Sequence, residues 1–221
     1  MLSNNIFKFL SLLEAHNHRE WFEENRSLYL QAKTDFEQYV QALLQANTNL
    51  IPGIESIPAK DCIFRIFKDV RFSKDKTPYK TNFGAAISAL GRKVHGAGFY
   101  LHIQPGNRSF VGGGVWMPEK EHLKAIRQEI DYQYNDFCKL LKDKKFVQYY
   151  GDLDRSEQLK KCPKGYEESH PGIAYLKLKS FTASHLLSDE QLTAKNSILQ
   201  ISKAMEALNP LIQFLNEAMQ S

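Results

Sequence analysis

Apolar residues recur every three to four positions in the first fifty residues, which predicts an N-terminal helical region. A first helix is expected after Ser3, a residue type that caps helix N-termini. Its apolar positions are Ile6, Phe9, Leu10 and Leu13. A second helix is predicted to begin after Asn17 and to extend to about Ala46. Because Thr34 and Asp35 favour helix ends over interiors, we expect a break near them.

The hydrophobic period changes to two in the middle of the chain, where β-branched and aromatic residues dominate. Strands are predicted over 62–67, 82–89, 98–105 and 108–117. The turn Pro105-Gly106-Asn107 joins the last two. Strands connected by short turns indicate a mostly antiparallel sheet. A further short strand is expected between residues 176 and 183.

Helical spacing returns after the strands. Pro118 suits the first position of a helix, and Pro210 after Asn209 suits the start of a last one. Helices therefore flank a central, mostly antiparallel sheet on the N-terminal and C-terminal sides. With no repeat or linker to divide it, the chain is predicted to form a single α+β domain over residues 1–221.

Charge changes this picture by pointing to one segment. The net charge is +4, and the stretch from Lys60 to Lys80 holds seven basic and three acidic residues, which equals that whole excess. A local cluster of this kind favours an anionic partner. The alternative is a charged loop that is simply solvated.

Several classes of protein are disfavoured by composition. The cysteines, Cys62, Cys138 and Cys162, have neither disulfide nor zinc spacing, and the histidines show no metal pattern. Neither an export signal nor an apolar run long enough for a bilayer is present. We therefore expect a cytoplasmic protein without a metal or membrane partner. Neither a cofactor nor an oligomeric state follows from the sequence.

The segment from Arg71 to Gly84 is predicted to be a loop rich in hydrogen-bond donors. Ammonium groups and a guanidinium suit carboxylate or phosphate, and Pro78 restricts the loop. The candidate ligand-binding residues in and before it are Arg65, Arg71, Ser73, Lys74, Lys76, Tyr79 and Lys80. The alternative is an exposed hairpin in which Asp75 pairs with neighbouring lysines.

Arg65 stands within an apolar predicted strand. If one face of that strand is wet, Arg65 points to solvent and carries no functional meaning. If both faces are covered, its guanidinium needs an anionic partner. Since Arg65 would share a face with Ile63 and Phe67, the sequence favours partial cover.

The run of three glycines around Gly113 weakens a predicted strand, which indicates a bulge or the close approach of a ligand or a second backbone. Trp116 or Tyr100 could stack on a ring or guanidinium, although a tryptophan of this kind is more commonly a core residue. His102 or Asp75 could transfer a proton. A structural histidine is the alternative for His102.

Four segments together resemble one family. They are "FRIFKDVRFSKDKTPYKTNFG", "GFYLHIQPGNRSFVGGGVWMP", "KCPKGYEESHPGIAYLKLKSF" and "NPLIQFLN". They are similar to the family called domain of unknown function 2461, and the resemblance covers nearly the whole chain. It implies a bacterial-type α+β domain and no established activity. Lys68 stands where members often carry arginine.

Three functions remain open at this stage. The first is a pocket for a phosphate- or carboxylate-bearing small molecule, with or without catalysis. The second is a nucleic-acid binder that uses the same cations, which the modest net charge of +4 favours less. The third is a protein-interaction module with an exposed apolar patch and no pocket.

Overall fold

The computed structural model describes residues 1–71, 74–93 and 96–220. The chain divides into two compact units. The first unit comprises Met1–Val94, Tyr100–Val111 and Leu186–Lys203, and the second comprises His95–Phe99, Gly112–His185 and Ala204–Ser221. The predicted α+β class is confirmed, because helices accompany a four-stranded antiparallel sheet in the described residues. The organisation as a single domain stays a prediction.

Four strands form the sheet of the described part of the chain. They are β1 (Phe83–Ile87), β2 (Gly98–Ile103), β3 (Ser109–Val115) and β4 (Phe181–Leu187). Neighbouring strands are hydrogen-bonded in the order β1-β2-β3-β4, so consecutive strands pair. The connections from β1 to β2 and from β2 to β3 are short, whereas residues 116–180 separate β3 from β4.

The helices account for most of the remaining regular structure. In chain order they are α1 (Asn4–Ala15), α2 (Arg19–Glu24), α3 (Arg26–Ala46), α4 (Ala59–Cys62), α5 (Lys120–Tyr132), α6 (Tyr134–Leu141), α7 (Lys144–Tyr150), α8 (Ile173–Leu176), α9 (Asp189–Thr193) and α10 (Ser197–Gln220). Short 3-10 turns occupy Ile54–Ser56 and Gly91–Lys93. No helix in the described ranges is both long and apolar enough to cross a membrane.

An aromatic core holds the first unit together. Phe83 of β1 stacks on Phe9 of α1 and on Phe36 of α3, with ring centroids 6.1 and 5.1 Å apart. Phe22 of α2 stacks on Tyr79 at 4.0 Å. Because the apolar positions of α1 recur at helical spacing, this helix buries one face, and Ser3 caps its N-terminus as predicted. These contacts fix β1 and the chain before it.

The second unit has its own aromatic core. Phe137 of α6 is fully buried, and its ring lies 5.2 Å from that of Tyr175 and 5.2 Å from that of Phe214. Half-buried Arg127 of α5 donates to the carbonyl oxygens of Leu176 and Leu178 at 2.7 and 3.1 Å. Those two bonds tie the turn after α8 to α5.

The predicted strand over 62–67 is wrong as a regular strand. Helix α4 ends at Cys62, and only two isolated antiparallel bridges follow, Ile63 to Ala85 and Phe67 to Tyr79. Ile63 and Ile66 are both buried, which an alternating strand does not permit. Arg65 consequently lies on an exposed stretch beside Phe64 and not on a partly covered face with Ile63.

Helix boundaries also differ from the prediction. Helix α3 runs unbroken through Asp35, whose carboxylate accepts bonds from Asn5 and Gln31 and caps nothing. Pro210 lies inside the continuous α10 and does not open a new helix. The last strand is predicted between residues 176 and 183 but occupies Phe181–Leu187. Both stretches alternate apolar and polar residues, so the pattern does not fix where the strand begins.

Candidate functional site

A half-open cleft of about 260 Å³ lies in the first unit. It joins the exposed stretch before β1 to one face of β1 and β2. The lining residues are Phe64, Arg65, Lys80, Asn82, Gly84, Tyr100 and His102. Four of them, Arg65, Lys80, Tyr100 and His102, are candidates that the sequence had singled out.

The alternation of β2 places two polar side chains in the cleft. Phe99, Leu101 and Ile103 are buried, whereas the intervening positions are half-buried. Tyr100 and His102 therefore share the face that is open to the cleft.

Gly84 forms the floor of the cleft at β1. Its carbonyl oxygen accepts a bond from the Phe64 backbone at 2.9 Å, which holds the preceding stretch against the strand. A Cβ at Gly84 would collide with the Tyr100 hydroxyl and lie 3.0 Å from Tyr100 Cζ. Glycine therefore allows the Tyr100 ring to lie across β1.

His102 is held on both edges of its ring and on one face. Its Nδ1 lies 3.4 Å from Asn82 Nδ2 and 3.4 Å from the Tyr100 hydroxyl, and both of these groups can donate. Its Nε2 lies 3.1 Å from Gln104 Oε1, an acceptor. The neutral ring thus carries its proton on Nε2 and leaves Nδ1 as the acceptor. Phe110 stacks on the ring at 4.7 Å.

Burial lowers the pKa of His102 from its usual 6.5, and the charge of Arg108 lowers it further, while the bond to Gln104 acts in the opposite direction. His102 is therefore neutral at pH 7. Burial also raises the pKa of Tyr100, which keeps its hydroxyl protonated as a donor.

Replacement of His102 by glutamine should make the free energy of unfolding depend less on pH below neutrality. In the unfolded chain a histidine takes up a proton below pH 6.5, whereas folded His102 resists protonation, so the free energy of unfolding falls as the pH decreases through this range. Urea denaturation between about pH 7 and pH 5 should show a smaller slope for His102→Gln than for wild type. His16→Gln, at an exposed ring of the same unit, serves as the control. Equal slopes for wild type and His102→Gln would contradict the assignment.

Arg65 and Lys80 bring two positive charges to the cleft. Within the described ranges no carboxylate forms an ion pair with either of them. Asp69, which senses the Arg65 charge, is bound by Arg71 instead, with Nε to Oδ1 at 2.9 Å and Nη2 to Oδ2 at 2.7 Å. Burial lowers the pKa of Lys80, and the charge of Arg65 lowers it further.

The other basic residues of the predicted loop make contacts within it. Lys68 donates to Asp75 at 2.7 Å and to Thr77 at 2.6 Å. The bond from Lys68, together with bonds from the Thr77 N–H and hydroxyl, depresses the pKa of Asp75. Lys76 donates to the carbonyl oxygen of Val70 at 3.0 Å. Lys74 is exposed, and Ser73 lies outside the described residues.

Three further candidates lie elsewhere. Tyr79 is buried in the stack on Phe22, and its backbone exchanges two bonds with Asn17. In the second unit, Trp116 is 76% exposed, and a Cβ at Gly113 would press on the Gly98 carbonyl and on Leu208. Close approach of a second backbone therefore accounts for the glycine at 113.

Sequence reasoning missed three residues of the cleft. In the predicted strand over 62–67, Phe64 would lie on the face opposite Arg65, whereas both residues line the cleft. The sequence places Asn82 and Gly84 at the end of the predicted loop and the start of the predicted strand, and it singles out neither as a contact. The glycine within that predicted strand was the available signal, because glycine there often marks a close approach.

Potential metal ligands are not clustered in the described structure. Across the residues that the structure describes, no group of three or more His, Cys, Asp or Glu side chains is placed to hold a metal ion. The side chains that line the cleft itself supply two cations, a phenol hydroxyl, an amide, an imidazole and a phenyl ring.

Comparison with known proteins identifies a family. A family model described as conserved hypothetical protein (DUF2461) matches residues 5–214 of the 221. No match was found among curated proteins or among solved structures. Since the family model covers nearly the whole chain, this protein belongs to the DUF2461 family, as its motifs indicated.

Proposed function

We propose that the cleft binds a small molecule through a carboxylate or phosphate group, with Arg65 and Lys80 as its positive contacts. One observation carries this proposal. In the described part of the chain, two cations without an acidic partner line the same half-buried cleft. Elsewhere in the same segment, Lys68 and Arg71 do have acidic partners.

An anion would relieve an unfavourable arrangement. Burial and the Arg65 charge both disfavour the protonated form of Lys80. A negative group near both side chains would offset the lost hydration and reduce their mutual repulsion. Arginine adds a planar fork that matches a carboxylate or a phosphate in two-point contact. Asn82 and Tyr100 supply neutral donors for the remainder of the ligand.

The same cleft has a group suited to proton transfer. Nδ1 of neutral His102 is an acceptor, and its present partners lie at 3.4 Å, at the long end of hydrogen bonding. A ligand hydroxyl or an acidic C–H could displace them. If the protein is an enzyme, His102 is therefore its general base.

Nucleic-acid binding is less well supported by this geometry. That function needs several phosphates contacted along an open basic surface. Lys68 and Arg71 are instead engaged with carboxylates, and Lys76 with a backbone carbonyl. A single small anion fits two cations in one cleft better than a polyanion does.

An NMR titration of the wild-type protein tests the proposal. Sodium phosphate and sodium acetate are added at low ionic strength while the Arg65 guanidinium and the amides of Gly84 and Tyr100 are followed. Two charge-assisted bonds should give a dissociation constant on the order of a millimolar, with saturation at these positions. A short single-stranded oligonucleotide should not compete at equal phosphate concentration.

Two results would overturn this function. Shifts that grow linearly without saturation for both salts would mean that no anion site exists in the cleft. Saturable binding of the oligonucleotide, with shifts centred on Lys74 and Lys76 and not on Arg65, would favour the nucleic-acid alternative. Lys74→Gln is the matched control, since it removes one exposed charge outside the cleft and should leave the titration unchanged.

A further inference from the structure

Lys80 differs from several other lysines in how its amine is surrounded. Lys68, Lys139, Lys177 and Lys179 each donate to a carboxylate. Within the described residues no such partner is present at Lys80, whose Nζ lies 5.9 Å from the centroid of the Phe64 ring. The amine therefore lies near an apolar ring and shares the cleft with a second cation, Arg65.

The backbone fixes the position of Lys80. Its N–H donates to the Ile66 carbonyl at 2.8 Å, directly beside the bridge between Phe67 and Tyr79. Tyr79 is buried in the aromatic core of the first unit. The side chain of Lys80 consequently starts from a rigid base and reaches the cleft that Arg65, Tyr100 and His102 also line.

We infer that Lys80 is a nucleophile that forms an imine with a small aldehyde or ketone carrying a carboxylate or phosphate, and that Arg65 holds the anionic group. This inference rests on the proposed function, because it names the substrate class of the same cleft. Arg65 keeps its contact with the anionic group, whereas Lys80 gives up its proton and its positive contact when it binds the carbonyl carbon. Lysines activated in this way are found in desolvated pockets next to another cation. The lowered pKa of Lys80 agrees with that arrangement.

The reaction balances with the groups present. The neutral Lys80 nitrogen attacks the carbonyl carbon, a C–N bond forms, and the C–O double bond becomes a single bond. His102 Nδ1 takes one proton from the nitrogen and passes it to the carbonyl oxygen, which gives the carbinolamine. The second nitrogen proton then moves to the hydroxyl by the same route, so that the C–O bond breaks, water leaves and the C=N double bond forms. No oxidation or reduction takes place, and every proton taken up is released.

Reductive trapping tests the inference on the wild-type protein. Glyoxylate, an aldehyde with a carboxylate, is added with sodium cyanoborohydride near neutral pH for a limited time. Reduction of an imine leaves a carboxymethyl group on the lysine, which peptide mapping by mass spectrometry locates after cleavage at acidic residues. We expect Lys80 to be labelled about tenfold more than the exposed Lys74, because one charge-assisted contact from Arg65 to the carboxylate is worth about that factor.

Two matched conditions separate amine reactivity from anion recognition. Glycolaldehyde has the same size but no charge, so the preference for Lys80 over Lys74 should be smaller with it. Excess acetate has the charge but no aldehyde, so it should protect Lys80 from glyoxylate and leave Lys74 unaffected. Arg65→Gln should reduce the glyoxylate preference toward the glycolaldehyde value. Because Arg65 is exposed, its replacement should leave the fold intact.

Each outcome decides the inference. Preferential glyoxylate labelling of Lys80 with protection by acetate supports it. Equal labelling of Lys80 and Lys74 overturns it, and if phosphate or acetate still saturates the cleft, the anion-binding function stands without the imine. Labelling of Lys80 that glycolaldehyde matches and acetate does not reduce also overturns it, since the amine would then react without an anion site.

Discussion

Replacement of Gly114 by alanine should lower the free energy of unfolding by about 3 kcal/mol or more. Gly114 lies in β3 with a φ of 120°, a conformation that side chains rarely adopt. An added Cβ would collide with the Phe181 carbonyl oxygen of β4 and lie 3.0 Å from the Thr182 Cα. Both obstacles are backbone, so neither can move without separating the strands. The midpoint of urea denaturation measures the loss.

Gly151→Ala is the matched control for this effect. Gly151 also has a positive φ, 71°, and belongs to the same unit, but nothing lies within 4 Å of its added Cβ. Backbone strain alone should therefore lower the free energy of unfolding by about 1 kcal/mol. Similar losses for both variants would show that the contact between β3 and β4 is not what requires glycine at position 114.

The double variant Arg65→Gln/Lys80→Gln should lose saturable binding of phosphate and acetate. Each replacement removes one charge-assisted contact, and together they should weaken binding by about 100-fold or more. Stability should change little, because Arg65 is exposed and removal of the Lys80 charge relieves its loss of hydration. The NMR titration of the Gly84 and Tyr100 amides measures the affinity, and urea denaturation verifies the fold.

Lys74→Gln/Lys76→Gln is the appropriate comparison because it removes the same net charge from the neighbouring loop. Exposed charges are screened by salt and solvent, so this variant should bind phosphate within about twofold of wild type. If both double variants weakened binding equally, the effect would reflect the overall field of the protein. The specific role of Arg65 and Lys80 would then be refuted.

Much of the fold was predictable because its elements bury one face at a regular period. Helix α1 and strands β1, β2 and β3 lie close to where the spacing of apolar residues placed them. The course of the chain after Cys62 was not predictable, because Ile63 and Ile66 are buried through contacts that local alternation does not reveal. Pro210 likewise marks a helix start by residue type, yet packing carries α10 through it.

The types of residue in the site were predictable, but the sequence did not show which cations pair with an acidic residue. A count of charges cannot show that Lys68 is bound by Asp75 or that Arg71 is bound by Asp69, since both pairs depend on loop geometry. The alternation of β2 puts Tyr100 and His102 on one face, which follows from the predicted strand over 98–105. Arg65 reaches that face because isolated bridges join residues 63 and 67 to the chain around β1. The sequence does not reveal these bridges.

Diffraction from crystals of the wild-type protein soaked in selenate would test the proposed anion site most directly. Selenate is a tetrahedral dianion whose selenium gives an anomalous signal, so an anomalous difference map calculated with the protein phases locates it. We expect a peak within hydrogen-bonding distance of both the Arg65 guanidinium and Lys80 Nζ. Peaks confined to Lys74 and other surface lysines, with an open cleft that holds none, would contradict it.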